Sequence, residues 1–260
     1  MVALDEAAWD APWRRIRVGE KLILCLGLLV TVLVAPAWPA SGLVAVTVVV
    51  LILGPARIPA RVLAWGAAAP MTFITIGALS VAVQIGTSTT DVWLAAGPAS
   101  VSPATAANAA TVFARAVAGT LAVLLLATTT PMVDLLGWAR RRGVPGPLVE
   151  VASLTYRLLF VLLETARNIH ASQTARLGDS PTGHGRWRRR WRNVATAMGA
   201  LLVRSWERAR RLADGLAARG IDGDLAVLPS NHPASPKFIT GTLALLAGIW
   251  SIAILSGVMS

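Results

Sequence analysis

Val149 to Gly220 reads VEVASLTYRLLFVLLETARNIHASQTARLGDSPTGHGRWRRRWRNVATAMGALLVRSWERARRLADGLAARG. Apolar residues recur at Val151, Leu154, Leu158, Val161 and Leu162, a stripe with helical spacing. Arg157 and Glu164 interrupt it, which argues against a full membrane span there. The first helix runs to Ala175 and stops near Gly178, and Ser180-Pro181-Thr182-Gly183 makes a loop. A second helix spans about Arg186 to Arg219, its apolar face formed by Val194, Met198, Leu201, Leu202, Trp206, Ala209, Leu212 and Leu216. Gly220 stands where a helix C-terminus prefers glycine. The two phrases Ala175-Arg176-Leu177-Gly178 and Ala218-Arg219-Gly220 therefore each end a basic amphipathic helix.

What surrounds this segment is apolar. The chain has 260 residues, 55% of them hydrophobic and only 14% charged, with a net charge of +11; its mean hydropathy is +0.63. A soluble domain carries roughly a quarter charged residues, so the composition points to a membrane protein with arginine-rich loops on one side. Long apolar runs do not suit a soluble nucleic-acid binder. The single cysteine, Cys25, lies in an apolar run and supports neither a disulfide framework nor a metal cluster.

In chain order, residues 1–20 form an amphipathic lead-in, with Trp9 and Trp13 suited to the headgroup layer and Arg14, Arg15 and Arg17 to anionic lipid. The early acids Asp5, Glu6 and Asp10, and the absence of a clean small-residue cleavage pattern, predict a retained first span. Apolar runs at Leu22–Ala35 and Leu43–Leu53 flank a turn at residues 36–42. Both are short of the ~20 residues a span needs, and read best as two tight spans. Val62–Ile85, with Pro70 as a kink, and Ala104–Thr128 are longer spans separated by a polar loop at 86–103; Phe238–Met259 is the last. With the N-terminus inside, the inner parts 1–21, 54–61 and 129–237 hold nearly all the Lys and Arg, and the outer parts 36–42 and 86–103 hold none. That partition is what the positive-inside rule predicts. The expected fold is an all-α integral membrane protein of five spans, six if 148–163 enters the bilayer, with long cytoplasmic amphipathic helices. The expected division is 1–137 and 237–260 in the membrane and 138–236 in the cytoplasm.

Catalytic chemistry is poorly represented. No Gly-rich phosphate loop is present, so ATP is not expected to bind this chain. His170, His184 and His232 are scattered, without ligand spacing, and no Ser/His/Asp set suggests hydrolysis. Arg115 falls mid-span, where a cation needs a partner that the sequence does not identify. At the two helix ends, small Ala permits close approach to a groove, the neighbouring Arg suits a carboxylate, and Gly lets the chain turn away.

Taken in order, several phrases resemble the transmembrane T component of energy-coupling factor transporters, in the cobalt-type branch called CbiQ. They are Trp13-Arg14-Arg15 through Val18-Gly19-Glu20-Lys21; Thr128-Thr129-Thr130-Pro131 followed by Leu135, Leu136 and Gly143-Val144-Pro145; Tyr156-Arg157 with Glu164 and Ala171 to Gly178; and Glu207-Arg208-Ala209 through Ala218-Arg219-Gly220. Leu177 before Gly178 departs from the plain Ala-Arg-Gly form.

The resemblance implies a non-catalytic subunit in the cell membrane. Two ATP-binding cassette ATPases would hold ATP and Mg, and receive the helix ends at Ala175, Arg176, Gly178 and at Ala218, Arg219, Gly220. A separate substrate-binding membrane subunit of the CbiM/CbiN kind would capture cobalt ion for cobalamin supply. Nickel or a vitamin such as biotin is the near alternative, since this subunit does not display the substrate. Arg115, Arg157, Glu164 and Glu207 are candidate ion-pair residues. The alternatives of another class are a membrane enzyme and a basic anchor that holds anionic lipid.

Overall fold

The computed structural model describes residues 2–85, 94–96, 99–175, 186–220 and 235–258. The chain divides into two compact units, one of residues 1–135 with 230–260 and one of residues 136–229.

The first unit begins with α1 (Val2–Asp10) and a 3-10 turn, Pro12–Arg15. Helices α2 (Val18–Val34) and α3 (Ala37–Leu53) follow, nearly back to back. Only Ala35 and Pro36 separate them, and the chain reverses through non-helical torsions at Trp38, so the expected seven-residue turn is largely absorbed into α3. Each has 17 residues, about 25 Å at helical rise. Helix α4 (Ala60–Ala82) carries Pro70 inside it, and α5 (Pro103–Thr129) is the longest of this unit. α5 starts cleanly because Ser102 and Thr105 cap each other reciprocally and Pro103 occupies the first turn. Helix α9 (Pro236–Val258) closes the unit.

Four-residue stripes build the core. Leu24, Leu28 and Val32 of α2 meet Val44, Val48 and Ile52 of α3, and Ala118, Leu121, Ala122 and Leu125 of α5 fill the space between. α4 lies against α5, and α9 against α2 and α3. Gly27 is a point of close approach, since a Cβ there would stand 2.6 Å from Leu246 of α9. Trp250 donates its indole N–H to the Thr31 hydroxyl at 3.0 Å, tying α9 to α2. Small residues at crossings and cross-helix hydrogen bonds are how helices associate in lipid, where apolar burial no longer drives assembly.

The segment expected to be a plain loop contains a small antiparallel sheet in the order β1-β3-β2, formed by Gln84–Ile85, Leu94–Ala96 and Ala99–Val101. These strands are two or three residues long, too short to show an alternating pattern in the sequence.

The second unit holds α7 (Gly146–Ala175) and α8 (Arg186–Ala217). α6 (Met132–Arg141) leads into it and ends at Gly143, whose φ of +94° suits glycine. Among the described residues, four helices are long and apolar enough to cross a bilayer: α4, α5, α7 and α9. α7 qualifies through its first half, which is apolar enough to outweigh Glu150 and Arg157; Glu164 and Arg167 fall in its second half.

Candidate functional site

Within the first unit, a buried polar joint collects at the end of α5. Pro131 has no N–H and disfavours helical torsions at Thr130, so α5 stops at Thr129 and its last carbonyls lose their intrahelical donors. The side chains of Thr128 and Thr129 bond back to Leu124 and Leu125 carbonyls at 2.8 and 2.6 Å. The Thr129 carbonyl accepts from the Lys21 ammonium at 2.7 Å, a cation at the negative end of a helix. Lys21 is only 1% exposed. Asp134, in the first turn of α6, lies close enough for its charge to act on Lys21, and Arg14 approaches the same carboxylate at 3.7 Å. Arg14 also stacks over the Trp9 ring, 4.0 Å from its centroid. Beside Lys21, Glu20 accepts from the Ser235 backbone N–H at 2.9 Å, while Trp13 packs edge-to-face on Phe238. The lead-in, the α5–α6 junction and the start of α9 are thus fastened together.

Arg115 finds its partner in this unit as well. Its guanidinium donates to the Ala35 carbonyl at 3.1 Å, again a cation on the C-terminal end of a helix, here α2. A backbone carbonyl has no side-chain signature, which is why the sequence could not identify it.

The second unit carries the helix ends. Ala175 is the last residue of α7 and is exposed; Arg176 and Gly178 lie outside the described residues. Ala218, Arg219 and Gly220 form an exposed turn after α8. Their N–H groups reach back to Asp214, Leu216 and Ala217 carbonyls at 2.9, 3.1 and 3.0 Å, and Gly220 takes φ +66°. The turn therefore tightens the last helical step and releases the chain in a left-handed conformation, with Arg219 facing solvent. Glu207 makes an exposed pair with Arg211 at 3.7 Å. Arg157 and Glu164 are both exposed, and among the described residues no ion pair joins them. Between α7 and α8 runs an open apolar groove of about 590 Å³, lined by Leu159, Leu162, Leu163, Met198 and Leu202 among others.

Sequence reading singled out the helix ends and Arg115, but gave the joint no chemistry. Its signals were present: a Glu20-Lys21 pair directly ahead of an apolar run, and three threonines before Pro131 at the end of another. Among the described residues no three His, Cys, Asp or Glu side chains gather as metal ligands do.

Known proteins resemble this chain over most of its length. The family described as CbiQ, cobalt transport protein, matches residues 10–229. A cobalt transport protein CbiQ of Rhodobacter capsulatus is 38% identical over 98% of this chain and 99% of its own length. The CbiQ of Salmonella typhimurium is 26% identical over 86% of this chain and 99% of its own. A putative fused cobalt transport protein CbiMQ of Methanocorpusculum labreanum is 23% identical over 96% of this chain and 41% of its own length.

Proposed function

The chain belongs to the CbiQ family of cobalt transport proteins, and from this multi-pass membrane component we propose the following mechanism. The protein is the energy-coupling subunit of a transporter whose ATP hydrolysis takes place on two partner ATPases. The N-terminus and the second unit face the cytoplasm. The ends of α7 and α8, at Ala175-Arg176 and Ala218-Arg219-Gly220, seat in grooves on the two ATPases. Cobalt ion is captured by a separate CbiM-like membrane subunit, a pairing supported by the relative in which CbiM and CbiQ are one chain.

The observation that carries this reading is the exposed, glycine-ended turn at Ala218–Gly220 on a helix of 32 residues. A rod of that length spans nearly 50 Å and delivers a push at one end to contacts along its whole side. Arg219 offers a planar fork for a carboxylate, and Ala218 leaves room for close approach. The one-sided distribution of Lys and Arg supports the cytoplasmic placement. ATP closing the partner ATPases would move both helix ends and, through α7 and α8, whatever packs on them.

The test replaces both arginines. The double variant Arg176→Ala with Arg219→Ala, coexpressed with its ATPases, is expected to lose their copurification and cobalt uptake. Full copurification together with wild-type uptake overturns the assignment.

A further inference from the structure

The ATPase reading uses the far end of α8 and leaves its beginning unexplained. Five arginines fall within residues 186–192, interleaved with Trp187 and Trp191, and no acid occurs between Asp179 and Glu207. The two indoles stack edge-to-face with centroids 5.6 Å apart and remain 70% and 58% exposed. Arg188, Arg190 and Arg192 are exposed too. Two large exposed aromatic rings beside exposed cations are a costly surface unless something covers them.

The periodicity says what. At 3.6 residues per turn, Trp187, Trp191, Val194 and Met198 fall on one line along α8. Arg188 and Arg190 lie roughly 80° to either side of that line. An apolar stripe with tryptophan in it and arginines flanking both edges is the pattern of a helix lying in a bilayer interface. The indoles occupy the headgroup boundary while the flanking cations reach lipid phosphates. Tryptophan and arginine also occur together at protein interfaces; the indoles in line along the helix with a cation on each edge are what favour lipid.

We propose that the first turns of α8 form an anionic-phospholipid binding face, with Trp187 and Trp191 set at the headgroup boundary and Arg188 and Arg190 on the phosphates. The face would hold the start of the coupling rod against the cytoplasmic leaflet while its far end moves. It does not depend on which protein Arg219 meets.

The full-length protein is placed in nanodiscs of phosphatidylcholine and phosphatidylglycerol, with acyl-chain bromines on one lipid or the other. The emission of the pair is obtained by subtracting the variant Trp187→Phe with Trp191→Phe, checked by elution volume and helicity. Brominated phosphatidylglycerol should quench that component at least about twofold more than brominated phosphatidylcholine at equal mole fraction. The excess should vanish in Arg188→Gln with Arg190→Gln. It should persist in Arg204→Gln with Arg210→Gln, which removes equal charge off the stripe. Raising salt on the unmodified protein should also shrink the excess, so the test does not rest on variants alone. Equal quenching by both lipids overturns the proposal. So does an absence of lipid quenching of this pair, which would assign the face to a protein partner.

Discussion

Lys21 offers the sharpest stability prediction. Its ammonium is buried, bonded to the Thr129 carbonyl at 2.7 Å and close to Asp134. Two effects compete when it is replaced by methionine. Removing a buried cation relieves a desolvation cost, and swapping buried ions for apolar residues is often neutral or better. Against that, a hydrogen bond to a charged group contributes about 1.5–3 kcal/mol, and a buried carbonyl left without a donor costs about 1–3 kcal/mol. Here the second effect wins. Pro131 ends α5, so no N–H of a continuing helical turn reaches the Thr129 carbonyl in place of the ammonium, and Asp134 loses the favourable charge of Lys21. Lys21→Met should therefore destabilise by roughly 2–3 kcal/mol. Lys21→Ala should cost more, because the lost stem also leaves a void. At ~2–4 °C per kcal/mol for a chain of this size, the methionine variant should show a thermal midpoint lowered by roughly 4–12 °C. The assay is tryptophan-monitored unfolding in detergent, with a cycle against Asp134→Asn to isolate the coupling. A methionine variant within about 1 °C of wild type, or one more stable, refutes the reasoning.

Other positions give further tests. Arg115→Leu strips the cation from the Ala35 carbonyl and should destabilise by about 1.5–3 kcal/mol in the same unfolding assay. Gly27→Val drives a branched side chain into Leu246 and should cost about 1–3 kcal/mol, with Leu246→Ala recovering part of it in the double variant. Gly220→Val puts a β-branched residue at φ +66°; it should leave the midpoint of the membrane unit unchanged while weakening copurification of the ATPases.

Long-range chemistry separates what the sequence revealed from what it hid. The long helices were legible because their ends are written locally: Gly143 through Pro147 opens α7, Gly220 closes α8, and Pro103 and Pro131 bracket α5. α6 was missed because its ten residues sit between a proline and an arginine run, with too few turns to set a period. The strands at 84–101 were missed for the same reason of length. Lys21 and Thr129 are 108 positions apart, and Arg115 meets a carbonyl 80 positions away. Neither pairing leaves a trace in spacing, since only the packing of α2 against α5 creates it. The exposed end at Arg219, by contrast, was visible as a glycine stop on an amphipathic helix.

The central claim is that the Arg219 end of α8 touches a nucleotide-hydrolysing partner inside the cell. Cys25 is the chain's one cysteine and is buried, so Cys25→Ser with Ala217→Cys places a single thiol at the exposed helix end and keeps Arg219. Thiol-directed crosslinking in intact membranes carrying the whole transporter should join residue 217 to an ATPase subunit, at a yield that changes when ATP is added. Labelling of residue 217 by an impermeant reagent from outside the cell, with no crosslink to either ATPase, would contradict the account.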